Sequence, residues 1–331
     1  MNNCKNCTCH TKVAMVTGVT GQDGSYLAEI LLREGYEVVG LKRRTSIIST
    51  HRIDHLFKDP NFKLEYFSLF DSTSIFRLIN KYKPDEFYNL AAQSHVRVSF
   101  ETPIETMSGI LLGTGYILEA IRQIKPSCRF YQASSSEMYG RNINVPLNEE
   151  SIMLPASPYA CAKLAAHHLV QNYREGYGLH ASSGILLNHE SPRRGETFVT
   201  KKITMAAAKI KKGLQDKLYL GNLDAKRDWG YALDYMEGAF LMLQQDEPDD
   251  YVLSTGKSHS VREFLEVVFE YANLNIEQYV EFDERLTRPQ EVPYLLGDST
   301  KAFEKLNWKP KVTFEKLAKM MYDSDLMEIK K

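Results

Sequence analysis

Four side chains in the middle of the chain have the types and spacing for proton and hydride chemistry: Ser135, Glu137, Tyr159 and Lys163. Tyr159 and Lys163 are four apart, so on a helix they share one face. A tyrosine is a poor base near its reference pKa of about 10, but a neighbouring ammonium favours the phenolate. Such a pair beside an oxidised nicotinamide can deprotonate a hydroxyl as hydride leaves the carbon. Ser135 and Glu137 are two apart, which on an extended strand puts both on one face. Ser135 could then hydrogen-bond the hydroxyl being oxidised while Glu137 reaches a more distant carbon. A carboxylate there adds proton abstraction and loss of water to the hydride step.

Such groups need a scaffold, and the pattern supplies one. Val13–Thr17 reads as a short buried strand, followed by glycines and a periodic helix from Ser25 to about Glu34. Strand-like segments recur at Glu37–Leu41, Leu64–Phe67, Glu86–Leu90, Arg129–Ala133 and Ser182–Leu187. Between them fall helical patterns at Ser72–Lys81 and Thr106–Ile124. Ser157 and Pro158 open another helix as N-cap and first helical residue, and it runs to the Gly176–Gly178 region. The spacing predicts a helix over 228–245 and a strand at Tyr251–Ser254. Strands alternating with helices mark a doubly wound parallel sheet of Rossmann type, so the fold class is α/β. The expected division is 11–187 with 228–256 for the dinucleotide domain, 188–227 with 257–331 for a smaller mixed α/β substrate domain, and 1–10 as a cysteine-rich tail.

Gly18, Gly21 and Gly24 sit between the first strand and the first helix, with Gln22 and Asp23 among them. Glycines allow a tight turn and close backbone approach to a pyrophosphate, and the helix start offers unpaired N–H groups. Where an acidic residue would meet an unphosphorylated ribose, the second strand instead ends in Lys42, Arg43 and Arg44. Guanidinium groups suit a phosphate dianion, which points to NADP. Ala91 and Ala92 follow the fourth strand, where small residues let a cofactor lie against the backbone.

Composition narrows the class. The chain has 331 residues, 43% hydrophobic and 25% charged, with a formal net charge of −1, so it has no electrostatic reason to seek nucleic acid or an anionic membrane. No apolar run approaches the roughly 20 residues that span a bilayer, and the polar start lacks a secretory core. The expectation is a cytoplasmic enzyme with no membrane partner. Cys4, Cys7 and Cys9 precede His10 and could clasp a metal, but a reduced tail is the simpler reading and no metal is expected. Cys128 and Cys161 are expected to act as small apolar residues.

Longer blocks carry a resemblance. Thr17-Gly-Val-Thr-Gly-Gln-Asp-Gly-Ser-Tyr-Leu27, Asn89-Leu-Ala-Ala-Gln-Ser-His-Val96 and Gln132-Ala-Ser-Ser-Ser-Glu137 resemble the extended short-chain dehydrogenase/reductases. Within these, the GDP-mannose 4,6-dehydratase family is resembled most by Asn188-His-Glu-Ser-Pro-Arg-Arg-Gly-Glu-Thr-Phe-Val-Thr200 and Leu220-Gly-Asn-Leu-Asp-Ala-Lys-Arg-Asp-Trp-Gly230. Arg288-Pro-Gln-Glu291 and Leu295-Leu-Gly-Asp298 continue the match.

The resemblance implies C4 oxidation by Tyr159 and NADP, C5 deprotonation by Glu137, loss of water from C6 and return of the hydride there. It also implies cofactor contacts at Leu69 and substrate contacts at Ser94, Asn188, Lys202, Arg227, Arg288 and Glu291. It further implies a homo-oligomer, a dimer or tetramer. His189 is open between an acid–base and a structural role.

The chain departs from the family pattern at Ser135 (usually threonine), Ser68 (usually aspartate) and Lys201 (usually arginine), and the loop Thr45–Arg52 is one residue short. GDP-manno-heptose in place of GDP-mannose, or a 4-keto sugar-nucleotide reductase, are the alternatives left open.

Overall fold

The computed structural model describes residues 11–286, 290, 292 and 294–329. In chain order the first half runs β1 (Val13–Thr17), α1 (Gln22–Arg33), β2 (Glu37–Lys42), β3 (Phe62–Tyr66), α2 (Ser72–Tyr82), β4 (Glu86–Asn89), α3 (Val96–Glu101), α4 (Pro103–Met107), α5 (Gly113–Ile124) and β5 (Arg129–Ser135). Then come α6 (Pro158–Tyr177), β6 (Ala181–Leu186), β7 (Asn188–Glu190), α7 (Val199–Lys211), β8 (Leu218–Leu220), β9 (Lys226–Arg227), β10 (Trp229–Tyr231), α8 (Ala232–Leu243) and β11 (Asp250–Leu253). The remainder is β12 (His259–Ser260), α9 (Val261–Ala272), α10 (Ile276–Tyr279), β13 (Val280–Phe282), α11 (Thr300–Leu306) and α12 (Phe314–Glu328).

Seven parallel strands form one sheet in the order β3-β2-β1-β4-β5-β6-β11. Alternate side chains bury on opposite faces: Ala14 and Val16 pack with α1, α8 and α11, whereas Met15 packs with α2, α5 and α6. Burial on both faces explains why β1 reads as a short apolar run. The strand order reverses between β1 and β4, and at such a switch point the carboxyl ends of open α/β sheets splay apart to admit ligands.

A second core joins α7, α9 and α12 through Ile203, Phe264, Phe269, Leu317 and Met321. Trp229 belongs to this core, stacking on Phe314 at 6.1 Å and 17°. Leu295, Ala302, Leu306 and Trp308 instead return to the core beneath the large sheet. Asp228 marks the seam, accepting from Thr255 N at 2.8 Å and Gly256 N at 3.0 Å.

The α6 start is as expected: Ser157 Oγ accepts from Ala160 N at 3.1 Å, Pro158 follows, and Gly178 ends the helix at φ +68°. Three local expectations are corrected. The Thr106–Ile124 helix is present but starts at Pro103 and passes from α4 to α5 through a π-turn over Ser108–Leu112. The wide turn lets Gly109 and Gly113 approach Phe70 and Leu69, which an added Cβ would meet at 3.0 and 2.9 Å. The 228–245 helix starts only at Ala232, because Trp229–Tyr231 pairs with Asn188–Glu190 as a strand. Cys161 is exposed on α6 rather than acting as an apolar filler, whereas Cys128 is buried.

Candidate active site

A cleft of about 1510 Å³ opens at the carboxyl ends of the sheet. Gly18, Gly21, Gln22, Asp23, Gly24, Arg43, Arg44, Leu69, Ala91 and Ala92 line it, with Ser94, Ser135, Glu137, Tyr159, Lys163, Asn188, Lys202 and Arg227. Every expected site residue within the described part of the chain therefore borders one space. Arg288 and Glu291 lie outside the described residues, as do Cys4, Cys7, Cys9 and His10. Among the described residues no cluster of His, Cys, Asp and Glu could hold a metal, and no helix is long and apolar enough to cross a membrane.

The glycine turn is built for close approach. Gly18 has φ +67°, and a Cβ there would stand 3.2 Å from the Ala91 backbone. A Cβ on Gly24 would fall 2.4 Å from the Gly18 carbonyl oxygen. Thr17 ties this turn to the next wall: its hydroxyl donates to Asn89 Oδ1 at 2.9 Å and accepts from Leu90 N and Ala91 N, each at 2.9 Å. Asn89 in turn donates to Gln132 Oε1 at 2.9 Å, linking β1, β4 and β5. These buried bonds hold three loop starts in register, which is what a shallow, glycine-rich cradle needs. Arg43 and Arg44 stand exposed at the end of β2, while Lys42 is buried with its ammonium 5.8 Å from the Tyr66 ring centre. The residues present fit a dinucleotide.

The reacting groups come from β5 and α6. Ser135 is the last strand residue, but the chain then turns into a single 3₁₀ turn, so Glu137 does not continue the strand. Ser135 and Glu137 therefore do not share a strand face; instead Ser135 Oγ accepts from Glu137 N at 3.2 Å. The Ser135 hydroxyl also acts on the Tyr159 phenol, favouring its ionised form. Burial pushes Tyr159 up to about 12; the Ser135 hydroxyl pulls it back and the Glu137 charge adds to the rise. Lys163 donates to the Ala133 carbonyl at 2.6 Å, its ammonium 5.8 Å from the Tyr159 ring centre. Burial lowers Lys163 to about 8.

On the opposite wall Asn188 opens β7, and its Oδ1 is buried with no hydrogen-bond partner. An unpaired buried acceptor is costly, about 1–3 kcal/mol, and its place on the cleft wall supplies a reason for it. Lys202 stands half-buried on α7, held below its usual pKa by that burial. Arg227 is buried on β9, donating to the Lys226 carbonyl at 2.9 Å. Ser94 is exposed at the cleft edge. Ser68, at the aspartate position, uses its hydroxyl locally to accept from Phe70 N at 3.2 Å.

Sequence reasoning missed several cations of the cleft. Arg52, Arg77, Arg193 and Arg194 also line the cleft. Arg52 donates to the Arg193 carbonyl at 2.8 Å, and the Arg194 guanidinium lies 3.7 Å from the Phe198 ring centre. Arg193 and Arg194 fall inside the block from Asn188 to Thr200, so a signal existed; Arg52 and Arg77 have none locally.

Sheet order, glycine turn and the Ser–Tyr–Lys set at the end of β5 define a Rossmann-type enzyme of the extended short-chain dehydrogenase/reductase class. Among solved structures, a UDP-glucose 4-epimerase from Thermus thermophilus in complex with NAD is similar, with TM-score 0.83, 27% identity, and 96% of this chain and 100% of that chain covered. A family model described as GDP-mannose 4,6 dehydratase matches residues 15–321. The chain is 55% identical over 325 residues to GDP-mannose 4,6 dehydratase 1 of Arabidopsis thaliana, covering 95% of this chain and 90% of that one. It is 52% identical over 339 residues to the GDP-mannose 4,6-dehydratase of Sinorhizobium fredii, covering 95% and 97%. The chain belongs to the GDP-mannose 4,6-dehydratase family.

Proposed function

We propose that the protein is a lyase that dehydrates GDP-mannose to GDP-4-keto-6-deoxymannose with NADP recycled internally. The observation that carries this is Glu137, held by its own N–H to Ser135 and close enough for its charge to act on the tyrosine base. A reductase needs the Ser135, Tyr159 and Lys163 set but has no task for that carboxylate.

Bound NADP⁺ would accept the C4 hydride and later return it to C6. Tyr159 takes the C4 hydroxyl proton, with Ser135 positioning that hydroxyl. Lys163 supplies positive charge beside the phenolate while its bond to the Ala133 carbonyl anchors it to β5. The C4 ketone acidifies the C5 proton, which Glu137 removes and passes to the C6 hydroxyl so that it leaves as water; as the hydride returns to C6, the proton held by Tyr159 goes to C5. Asn188 Oδ1 is the acceptor available to a sugar hydroxyl, and Lys202 and Arg227 suit a diphosphate. The exposed pair Arg43 and Arg44 favours the 2′-phosphate, hence NADP. A homo-oligomer belongs to the same reading, with Ile47 and Ile48 standing 76% and 89% exposed on the loop after Arg44.

The test is product mass with GDP-mannose, and separately GDP-manno-heptose, in the presence of trace NADP⁺. Loss of one water without NADPH accumulating is expected; a requirement for stoichiometric NADPH would refute the reading. Glu137→Gln should slow water loss roughly a hundredfold or more while C4 oxidation persists. Dehydration by that variant at the native rate would remove Glu137 from its role.

A further inference from the structure

His189 and Asp23 are 166 positions apart in sequence, yet they meet where the two cores face the cleft. His189 lies in β7 beside Asn188, and Asp23 is in the first turn of α1, directly behind the glycine turn. His189 Nδ1 is 2.7 Å from the Leu187 carbonyl oxygen, and Nε2 is 3.0 Å from Asp23 Oδ2. A carbonyl and an ionised carboxylate only accept hydrogen bonds. Both ring nitrogens must therefore carry hydrogen, which makes the ring an imidazolium. Tyr235 stacks against it with ring centres 4.9 Å apart and planes at 22°, an aromatic face that suits a cation.

The pair is the charged centre of a larger clasp. Gln22 Nε2 donates to Asp23 Oδ1 and to the His189 carbonyl, each at 3.0 Å, and Ser191 donates to Gln22 Oε1 at 2.8 Å. The helix behind the glycine turn is thus bolted to the strand that presents Asn188.

We propose that His189 is a positioning residue whose imidazolium offsets part of the Asp23 charge at the Tyr159–Lys163 pair while locking the Asn188 strand onto α1. This deepens the dehydratase reading and rests on it for its rate measurements. The charge of Asp23 is felt at both catalytic groups, raising Tyr159 and Lys163 alike. Burial alone would strip the His189 proton, but Asp23 outweighs it and holds the ring above its usual pKa. The same contact holds Asp23 below the usual carboxylate range against its own burial.

The other charged or titratable groups facing His189 are Glu190 of its own strand, Arg194 of the following turn and Tyr235 of α8. Tyr159 faces Glu137 from the β5 end and Arg194 across the cleft, besides Asp23. With the imidazolium removed, Asp23 is left uncompensated, and the proton affinities of Tyr159 and Lys163 both rise.

The test compares His189→Gln, Asp23→Asn and the double variant, all loaded with NADP. His189→Gln should move the whole pH profile of kcat to higher pH by up to about one unit, roughly tenfold in the ionised fraction at a fixed pH below it. Removing the carboxylate as well should bring the profile back to its wild-type position or below it, although a purely structural loss would persist or deepen. ¹⁵N-histidine NMR of the wild-type protein, assigned against His189→Gln, should show both ring nitrogens protonated at neutral pH.

An unmoved profile in His189→Gln, an equal shift in the double variant, or a neutral ring by NMR overturns the proposal. If His189→Gln does not fold, the position of the double variant's profile and the NMR of the wild-type ring against the double variant decide it. Absence of dehydration by the wild type would refute the functional reading while leaving the NMR result standing.

Discussion

Replacing Asp250 tests whether the catalytic helix is held by one buried charge. Asp250 opens β11 and receives Arg174 Nη2 at 2.8 Å and Nη1 at 3.1 Å, Gln171 Nε2 at 2.9 Å and Ser183 N at 3.0 Å. His167 Nε2 stands 3.8 Å away. His167, Gln171 and Arg174 all belong to α6, the helix that carries Tyr159 and Lys163. The side chains of Arg174 and Asp250 are 15% and 8% exposed, so water screens this pair weakly. Asp250→Ala leaves a buried guanidinium without its partner, a loss of about 3–5 kcal/mol. Asp250→Asn keeps an acceptor for Ser183 N and should cost about 1.5–3 kcal/mol, the worth of hydrogen bonds to a charged group.

Urea unfolding reads both values as a fall in the transition midpoint at unchanged slope. Burial would raise the Asp250 pKa, but the Arg174 bonds and the neighbouring charges outweigh it and hold it below the usual value. The folded pKa is therefore depressed, and its contribution is present above the unfolded value of about 3.9 and lost as pH falls through the folded one. The gap between wild type and Asp250→Asn should be full at neutral pH and close in strong acid. An alanine variant within about 1 kcal/mol of wild type, or a gap that persists in strong acid, would refute the reasoning.

The glycine turn yields a graded prediction. Gly24→Ala drives its Cβ to 2.4 Å from the Gly18 oxygen and 2.6 Å from Val19 Cα, so backbone must shift, whereas Gly21→Ala meets only the Gly18 oxygen at 3.1 Å. Overpacking of about 1–3 kcal/mol should weaken NADP binding by roughly tenfold or more in Gly24→Ala by titration calorimetry, and equal affinities in the two variants would count against the cradle. Lys163 has a depressed pKa of about 8, so its ammonium is present below that pH and lost as pH rises through it. The rate should decline there, and Lys163→Arg, slower but permanently charged, should lack that alkaline limb; the same limb in both proteins would assign it elsewhere.

Much of the scaffold was legible because its signals are local. A strand buried on both faces is a short apolar run, a Ser-Pro pair starts α6, and a glycine with positive φ ends it. The π-turn at Ser108–Leu112 was not legible, since apolar periodicity over five residues cannot register one extra residue in a turn. The turn brings Gly109 and Gly113 against Phe70 and Leu69, which are distant in sequence. Trp229–Tyr231 failed for a related reason. An apolar stretch beside a helix extends its pattern, but a Cβ on Gly230 would fall 2.3 Å from the Tyr235 ring, and the segment is drawn into pairing with β7.

The candidate site divides along the same line. Ser135, Glu137, Tyr159 and Lys163 come from two adjacent segments, so their types and spacing suffice to place them at the end of one strand and the start of the next helix. What determines their proton affinities comes from farther away: Arg194 acts on Tyr159 across the cleft, and Asp23 acts on both Tyr159 and Lys163 from behind the glycine turn. Spacing in sequence says nothing of a charge such as Asp23, 136 residues from Tyr159. It can therefore name a base but not its working pH. Asp23 shows the consequence. Read locally it is a cofactor-loop residue, yet its carboxylate is turned to Gln22 and His189, where it bonds the two halves of the cleft and sets the field in which the tyrosine ionises.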